Sequence, residues 1–198
     1  MKFTKKIEKL HFEIFPENYQ FINNKIIESM LSDIIEGRKL KYIFFGSVGV
    51  GKSYLAQLII DYLKKTGLKC KESTARNLYQ DYLRVLKGEY SDKTEALTNK
   101  QRFLRGNDKI VYLDDLGTEP KTEASKEFIQ SIFEDRYFWE SKGNDSHLII
   151  TTNFSAGDKI KKFYGDRVLD RIYEMFTVCK FKNTNSFRTN KLRVIDEN

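Results

Sequence analysis

Tyr42-Ile43-Phe44-Phe45-Gly46-Ser47-Val48-Gly49-Val50-Gly51-Lys52-Ser53-Tyr54-Leu55-Ala56 is the stretch that decides how this chain folds. Its first four residues are a short apolar run that stops at a glycine, as expected of a strand buried on both faces of a parallel sheet. Its last five open a helical spacing of apolar residues that runs over 52–65. Between them, Gly46–Ser53 fits GxxxxGK[ST], and a strand before with a helix after is the context that separates a phosphate cradle from a chance match. Glycines let backbone N–H groups turn inward around phosphate oxygens, and the helix N-terminus adds partial positive charge. Such a P-loop predicts ATP with Mg2+ as its ligands. Lys52 reaches the β- and γ-phosphates and the Ser53 hydroxyl ligates the metal, while Gly46, Ser47, Val48, Gly49, Val50, Gly51 and Tyr54 form the rest of the nucleotide site.

The alternation continues on both sides. Upstream, Ile26, Ile27, Met30, Leu31, Ile34 and Ile35 share one face of a helix over 25–36. Downstream, the spacing predicts strand 68–73, helix 75–87, a polar stretch 88–108 containing a helix over 96–105, strand 110–113 and helix 121–141. Strand 147–152, short helices 155–163 and 165–174, and strand 176–181 complete the pattern. Strands alternating with helices predict an α/β fold built on an open parallel sheet, whose ligands sit at the carboxyl ends of the strands. Two prolines and no Gly/Ser-rich linker leave a single domain over 21–198, preceded by a short basic leader over 1–20.

With 198 residues, 40% of them hydrophobic, the chain is long enough for one sizeable core and too apolar to be disordered. The net charge of +7 suits either a nucleic-acid partner or a solvated lysine-rich surface. Cys70 and Cys179 lack zinc-type spacing and read as buried thiols of a reducing compartment. The N-terminus lacks the apolar run of a signal peptide and no segment is long and apolar enough to span a bilayer, so a cytoplasmic location without a membrane partner is expected.

Ile110-Val111-Tyr112-Leu113-Asp114-Asp115 is an apolar run ending in two carboxylates. Asp114 is placed to hold Mg2+, a hard cation that prefers oxygen ligands. Asp115 faces the other way, toward a water that it would orient or deprotonate. Aspartate here is one methylene shorter than the glutamate that many ATPases carry at the second position, so hydrolysis is expected but a fast rate is not. Leu148-Ile149-Ile150-Thr151-Thr152-Asn153 ends in polar groups, and a strand placed between the other two brings Asn153 to the attacking water or the γ-phosphate. A strand-ending asparagine is also a common turn residue. Arg84, Lys87, Lys93, Lys100, Arg102, Arg105 and Lys109, interspersed with Tyr82, Tyr90 and Phe103, suit single-stranded DNA, or equally a solvated face around core aromatics. His11, His147 and Trp139 read as structural.

GSVGVGKSYLA, VYLDDLG, LIITTNFS and YGDRVLDRI occur in that order. Over residues 20–190 the chain resembles the AAA+ domain of DnaC/DnaI-type bacterial replicative helicase loaders and their relative IstB, the transposition helper. Asn185-Ser186-Phe187-Arg188 is similar to the Ser-Tyr/Phe-Arg signature near the end of those loaders. The resemblance implies a three-layer αβα domain with a five-stranded parallel sheet of order 5-1-4-3-2 and Asn153 as the sensor. It also implies that Arg171 is an arginine finger for a neighbouring subunit's ATP in an ATP-dependent homo-oligomer. Arg167, one helical turn earlier, could share that task, and for either arginine the alternative is a helix-surface salt bridge. Implied partners are single-stranded DNA, along a path lined by the basic segment, and a hexameric replicative DNA helicase or an adaptor. The chain departs from the pattern in two ways: 1–20 is too short for the loaders' helicase-binding domain, and the helical lid after the last strand is absent or minimal. Both suit a phage- or mobile-element-type loader. Alternative readings are an IstB-like helper acting on duplex DNA, a small-molecule P-loop kinase, and a non-hydrolysing inhibitor of a host loader. No arginine-rich kinase lid is visible, and intact Lys52, Asp114 and Asp115 speak against a dead site.

Overall fold

The structure, a computed structural model, describes residues 2–16, 24–87, 110–143 and 146–181. Seven helices and five strands lie within them: α1 Lys2–Ile14, α2 Asn24–Ile35, β1 Lys41–Phe45, α3 Lys52–Lys65, β2 Cys70–Thr74, α4 Ala75–Leu86, β3 Ile110–Leu116, α5 Glu123–Ser141, β4 His147–Thr152, α6 Gly157–Tyr164, α7 Asp166–Met175 and β5 Thr177–Lys180. The expected helix over 96–105 lies outside the described residues.

All four strand pairings are parallel, and the sheet runs β2-β3-β4-β1-β5. That is the order implied by the resemblance, read from the opposite edge. Strands β1 and β4 are buried nearly end to end, which explains why they read as continuous apolar runs. One face of the sheet carries Tyr42, Phe44, Tyr112 and Ile149 against Leu55, Ile59 and Ile60 of α3 and Met30 and Leu31 of α2. The other carries Ile43, Val111, Leu113 and Ile150 against Phe128 and Ile132 of α5, Ile160 of α6 and Ile172 of α7. The result is the expected three-layer αβα sandwich.

Local chemistry sets where the helices begin. Thr74 caps α4 by accepting the Asn77 N–H at 3.1 Å, and Thr122 and Ser125 form a reciprocal capping box on α5. Two elements differ from expectation. Strand β3 runs on to Leu116 rather than ending at 113, because Leu116 is itself buried and pairs with Thr152 across a register shift between Leu113 and Leu116. The N-terminal stretch read as a leader forms α1, whose Leu10 and Ile14, with the following Phe15, are buried in the same cluster as α2 and α3. Burial of that kind contributes about 1.5–3 kcal/mol per large apolar side chain. Among the described residues no helix is long and apolar enough to cross a membrane.

Candidate nucleotide-binding site

The loop between β1 and α3 is bent by left-handed glycines, with φ +83° at Gly49 and +89° at Gly51. Gly51 is the N-cap of α3 and supplies no side-chain cap, so that helix end is left open to an anion. Val50 is fully buried under the loop, while Val48 and Tyr54 are exposed on its rim. The Gly46 N–H donates to the Phe154 carbonyl at 3.2 Å, joining the P-loop to the end of β4. A Cβ on Gly46 would lie 2.9 Å from the Phe181 Cβ, so the next strand's end also demands glycine here.

Lys52 is only 4% exposed. A buried ammonium requires hydrogen-bond partners, and its Nζ donates to the Gly46 carbonyl at 2.9 Å, the Ser47 carbonyl at 2.8 Å and Asn153 Oδ1 at 3.0 Å. Ser53 Oγ donates to Asp114 Oδ1 at 2.8 Å, and the Thr151 hydroxyl donates to the same oxygen. Thr151 Oγ1 also accepts the Asp115 N–H at 2.9 Å. Asp115 lies in the register shift of β3 with φ +53°, a left-handed conformation that aspartate tolerates better than most residues. Asn153 Nδ2 donates to Asp115 Oδ1 at 3.1 Å, so this amide spans Lys52 and Asp115. The five residues expected from sequence therefore converge at the carboxyl edge of β1, β3 and β4.

These residues fit Mg2+ and a nucleotide. Ser53 and Asp114 present two hard oxygens side by side at the open end of α3. The Tyr112 hydroxyl is buried on the same side of β3 as Asp114, and its phenol is held far above its ordinary pKa by burial and by the charge of Asp114.

Both candidate arginines are held on their own chain. Arg171 Nη1 bonds Glu174 Oε2 at 2.6 Å, and its guanidinium carbon lies 3.6 Å from the centre of the Tyr137 ring. Arg167 pairs with Glu134 at 3.1 Å. In the basic segment, Arg84 lies in the last turn of α4 with an exposed side chain 3.5 Å from Asp81, and Lys87 is the C-cap of that helix. Tyr82 is not a free stacking platform, because its ring stacks on Phe128 at 4.7 Å against the core. Lys93, Lys100, Arg102, Arg105 and Lys109, together with Tyr90, Phe103 and Asn185–Arg188, lie outside the described residues. His147 is structural, its Nδ1 accepting the Leu40 N–H at 3.1 Å. The Cys70 side chain is half-buried and that of Cys179 is buried.

Three polar residues escaped the sequence reading. Thr151 bonds Asp114 and Asp115 across the β3–β4 pairing, Tyr112 shares Asp114's face two residues earlier, and Glu119 is a buried carboxylate beyond the end of β3. Strand alternation was a signal for Tyr112. Nothing local marked Thr151 or Glu119.

No protein-family model matches the sequence, and no curated protein sequence matches it. Solved structures do match, and with the parallel sheet they define the fold as that of a P-loop AAA+ nucleoside triphosphatase. The chain is similar to the crystal structure of the DnaC helicase loader, with a TM-score of 0.63 and 25% identity over 88% of this chain and 99% of that one. It is similar in fold to DnaI, at 0.60 and 22% over 79% of this chain and 83% of that one. A replication initiator DnaA bound to AMPPCP and single-stranded DNA matches at 0.63 and 20%, over 93% of this chain and 52% of the DnaA chain. The fold is that of the DnaC-type loaders, and the chain spans about half the length of that DnaA.

Proposed function

We propose that this chain is an ATPase of DNA replication, a helicase loader that assembles on single-stranded DNA and delivers or remodels a replicative helicase. The observation that carries the reading is the convergence of Lys52, Ser53, Asp114, Asp115 and Asn153 within one bonded cluster, in the fold of a DnaC-type loader.

Lys52 gives up the Gly46 and Ser47 carbonyls for β- and γ-phosphate oxygens, charged acceptors that bind an ammonium more strongly than neutral ones do. Ser53 and Asp114 hold Mg2+, which supplies charge neutralisation on the phosphates. Asp115 accepts the proton of the attacking water, and Asn153 holds that water with the amide that now bridges Lys52 and Asp115. Arg171 leaves Glu174 and enters the neighbouring subunit's site, where its planar charge offsets the charge growing on the γ-phosphate. Arg84 and Lys87, with Lys100, Arg102 and Arg105, neutralise DNA phosphates along the oligomer.

Binding of a fluorescent single-stranded oligonucleotide at fixed salt tests the reading. Affinity is expected to rise when ATP or a non-hydrolysable analogue is added, and to stay unchanged in Lys52→Ala. Nucleotide-independent binding would refute it, and preference for duplex DNA would favour a transposition helper instead.

A further inference from the structure

Glu119 is a buried carboxylate, 6% exposed. A charge withdrawn from water without a cation is unfavourable unless hydrogen bonds hold it. Here both oxygens are occupied: Oε2 accepts the Gly117 N–H at 3.1 Å and Oε1 accepts the Tyr164 hydroxyl. Gly117 belongs to the turn that follows Asp115, a turn closed by the Thr118 N–H and hydroxyl, both donating to the Asp115 carbonyl at 3.1 and 2.9 Å. Tyr164 is the last residue of α6, and its own carbonyl accepts the Gln130 amide of α5 at 2.8 Å. Its neighbour Phe163 stacks parallel on Phe154 at 5.2 Å, next to Asn153, with the Lys121 ammonium 3.6 Å from the Phe163 ring centre. Directly after Tyr164, Gly165 turns the chain with φ +88° into α7, the helix that carries Arg171. The corner from which α7 departs is therefore fastened to the two loops that follow Asp115 and Asn153.

We infer that Glu119 and Tyr164 are positioning residues for Arg171: their buried hydrogen bond ties the α6–α7 corner to the turn that follows Asp115, so each subunit's own nucleotide site sets the place of the arginine it offers its neighbour. This rests on the reading of Arg171 proposed above.

Two variants separate the ends of the bond. Tyr164→Phe removes only the hydroxyl. Glu119→Gln keeps an acceptor for Tyr164 but turns its amide toward the Gly117 N–H, which it cannot accept. For each, ATP affinity, melting midpoint and hydrolysis per subunit as a function of protein concentration are measured at a temperature where the variant is folded. In wild type the rate per subunit rises with concentration, and Arg171→Ala abolishes the rise. In Tyr164→Phe, ATP affinity and the rate at the lowest concentration are retained, while the rise shrinks about tenfold or more, as misplacing a charge on the order of 1 Å does. A full rise in Tyr164→Phe, with wild type and Arg171→Ala behaving as expected, overturns the positioning role alone. Failure of both variants to fold assigns the bond to stability and overturns it equally. A flat rate in wild type removes the trans role of Arg171 and the positioning role with it.

Discussion

Asn153 turns its carbonyl toward the Lys52 ammonium and its amide toward the Asp115 carboxylate, the one orientation in which a donor-only and an acceptor-only neighbour are both satisfied. Asn153→Asp places a carboxylate against Asp115 and is expected to slow hydrolysis more than Asn153→Ala does, as read in single-turnover assays. Asp115→Asn keeps a side chain that tolerates φ +53°. It is expected to bind ATP normally while hydrolysis falls about 10²–10⁴-fold with loss of the proton acceptor. Equal loss of binding would assign Asp115 to the nucleotide pocket instead. Cys179 offers a check on the core, because burial pushes its thiol from 9.0 to about 12. Between those values the unfolded thiol ionises and the folded one does not. Its contribution to stability is full below pH 9 and is lost as pH rises toward 12. Native protein is expected to react with a thiol reagent at Cys70 well before Cys179, and denatured protein at both alike. Lys52, Ser53, Asp114 and Asp115 were legible because their chemistry is written in consecutive residues. Thr151 and Glu119 were not, since each acquires its role only through a partner elsewhere in the chain, Asp114 for one and Tyr164 for the other.

Among the elements, α3 and β4 came out with the bounds their spacing predicts, and α2, α4 and α5 within two residues of them. Amphipathic spacing and buried β-branched runs are local signals, which is why they survive folding unchanged. Helix α1 was missed because Ile7, Leu10 and Ile14 are diluted by lysines whose stems and charges face solvent. Leu10→Ala opens space beneath α1 and is expected to cost about 2–3 kcal/mol in chemical denaturation, toward the low end of the range for buried leucines because the site lies at the margin of the core. The β3 register shift was equally invisible, because the apolar run itself gives no sign of where pairing slips. Its consequence is testable at Gly117, which has φ +103° and lies so close to the Phe154 ring that a Cβ would sit 2.7 Å away. Gly117→Ala is expected to destabilise the protein by about 1–3 kcal/mol. A denaturation midpoint equal to wild type would mean the turn after Asp115 is free to move.

For the whole molecule, the order β2-β3-β4-β1-β5 places the strand that ends at Asn153 between the P-loop strand and the strand of Asp114 and Asp115, and this arrangement brings residues remote in sequence together. Alternating strands and helices foretold a parallel sheet, but strand order is a long-range property and came only from the resemblance. The arginines show the same division. Their helix was legible, yet in a single chain Arg171 is bonded to Glu174 and stacked on Tyr137, and a catalytic role for it requires a second copy. The central claim, that nucleotide binding and self-assembly are one event, is tested most directly by sedimentation velocity with and without ATP and Mg2+ in the presence of single-stranded DNA. The account predicts a shift from a single subunit to a larger assembly when ATP is added, absent in Lys52→Ala. A sedimentation coefficient that is the same with and without ATP in wild type would contradict it.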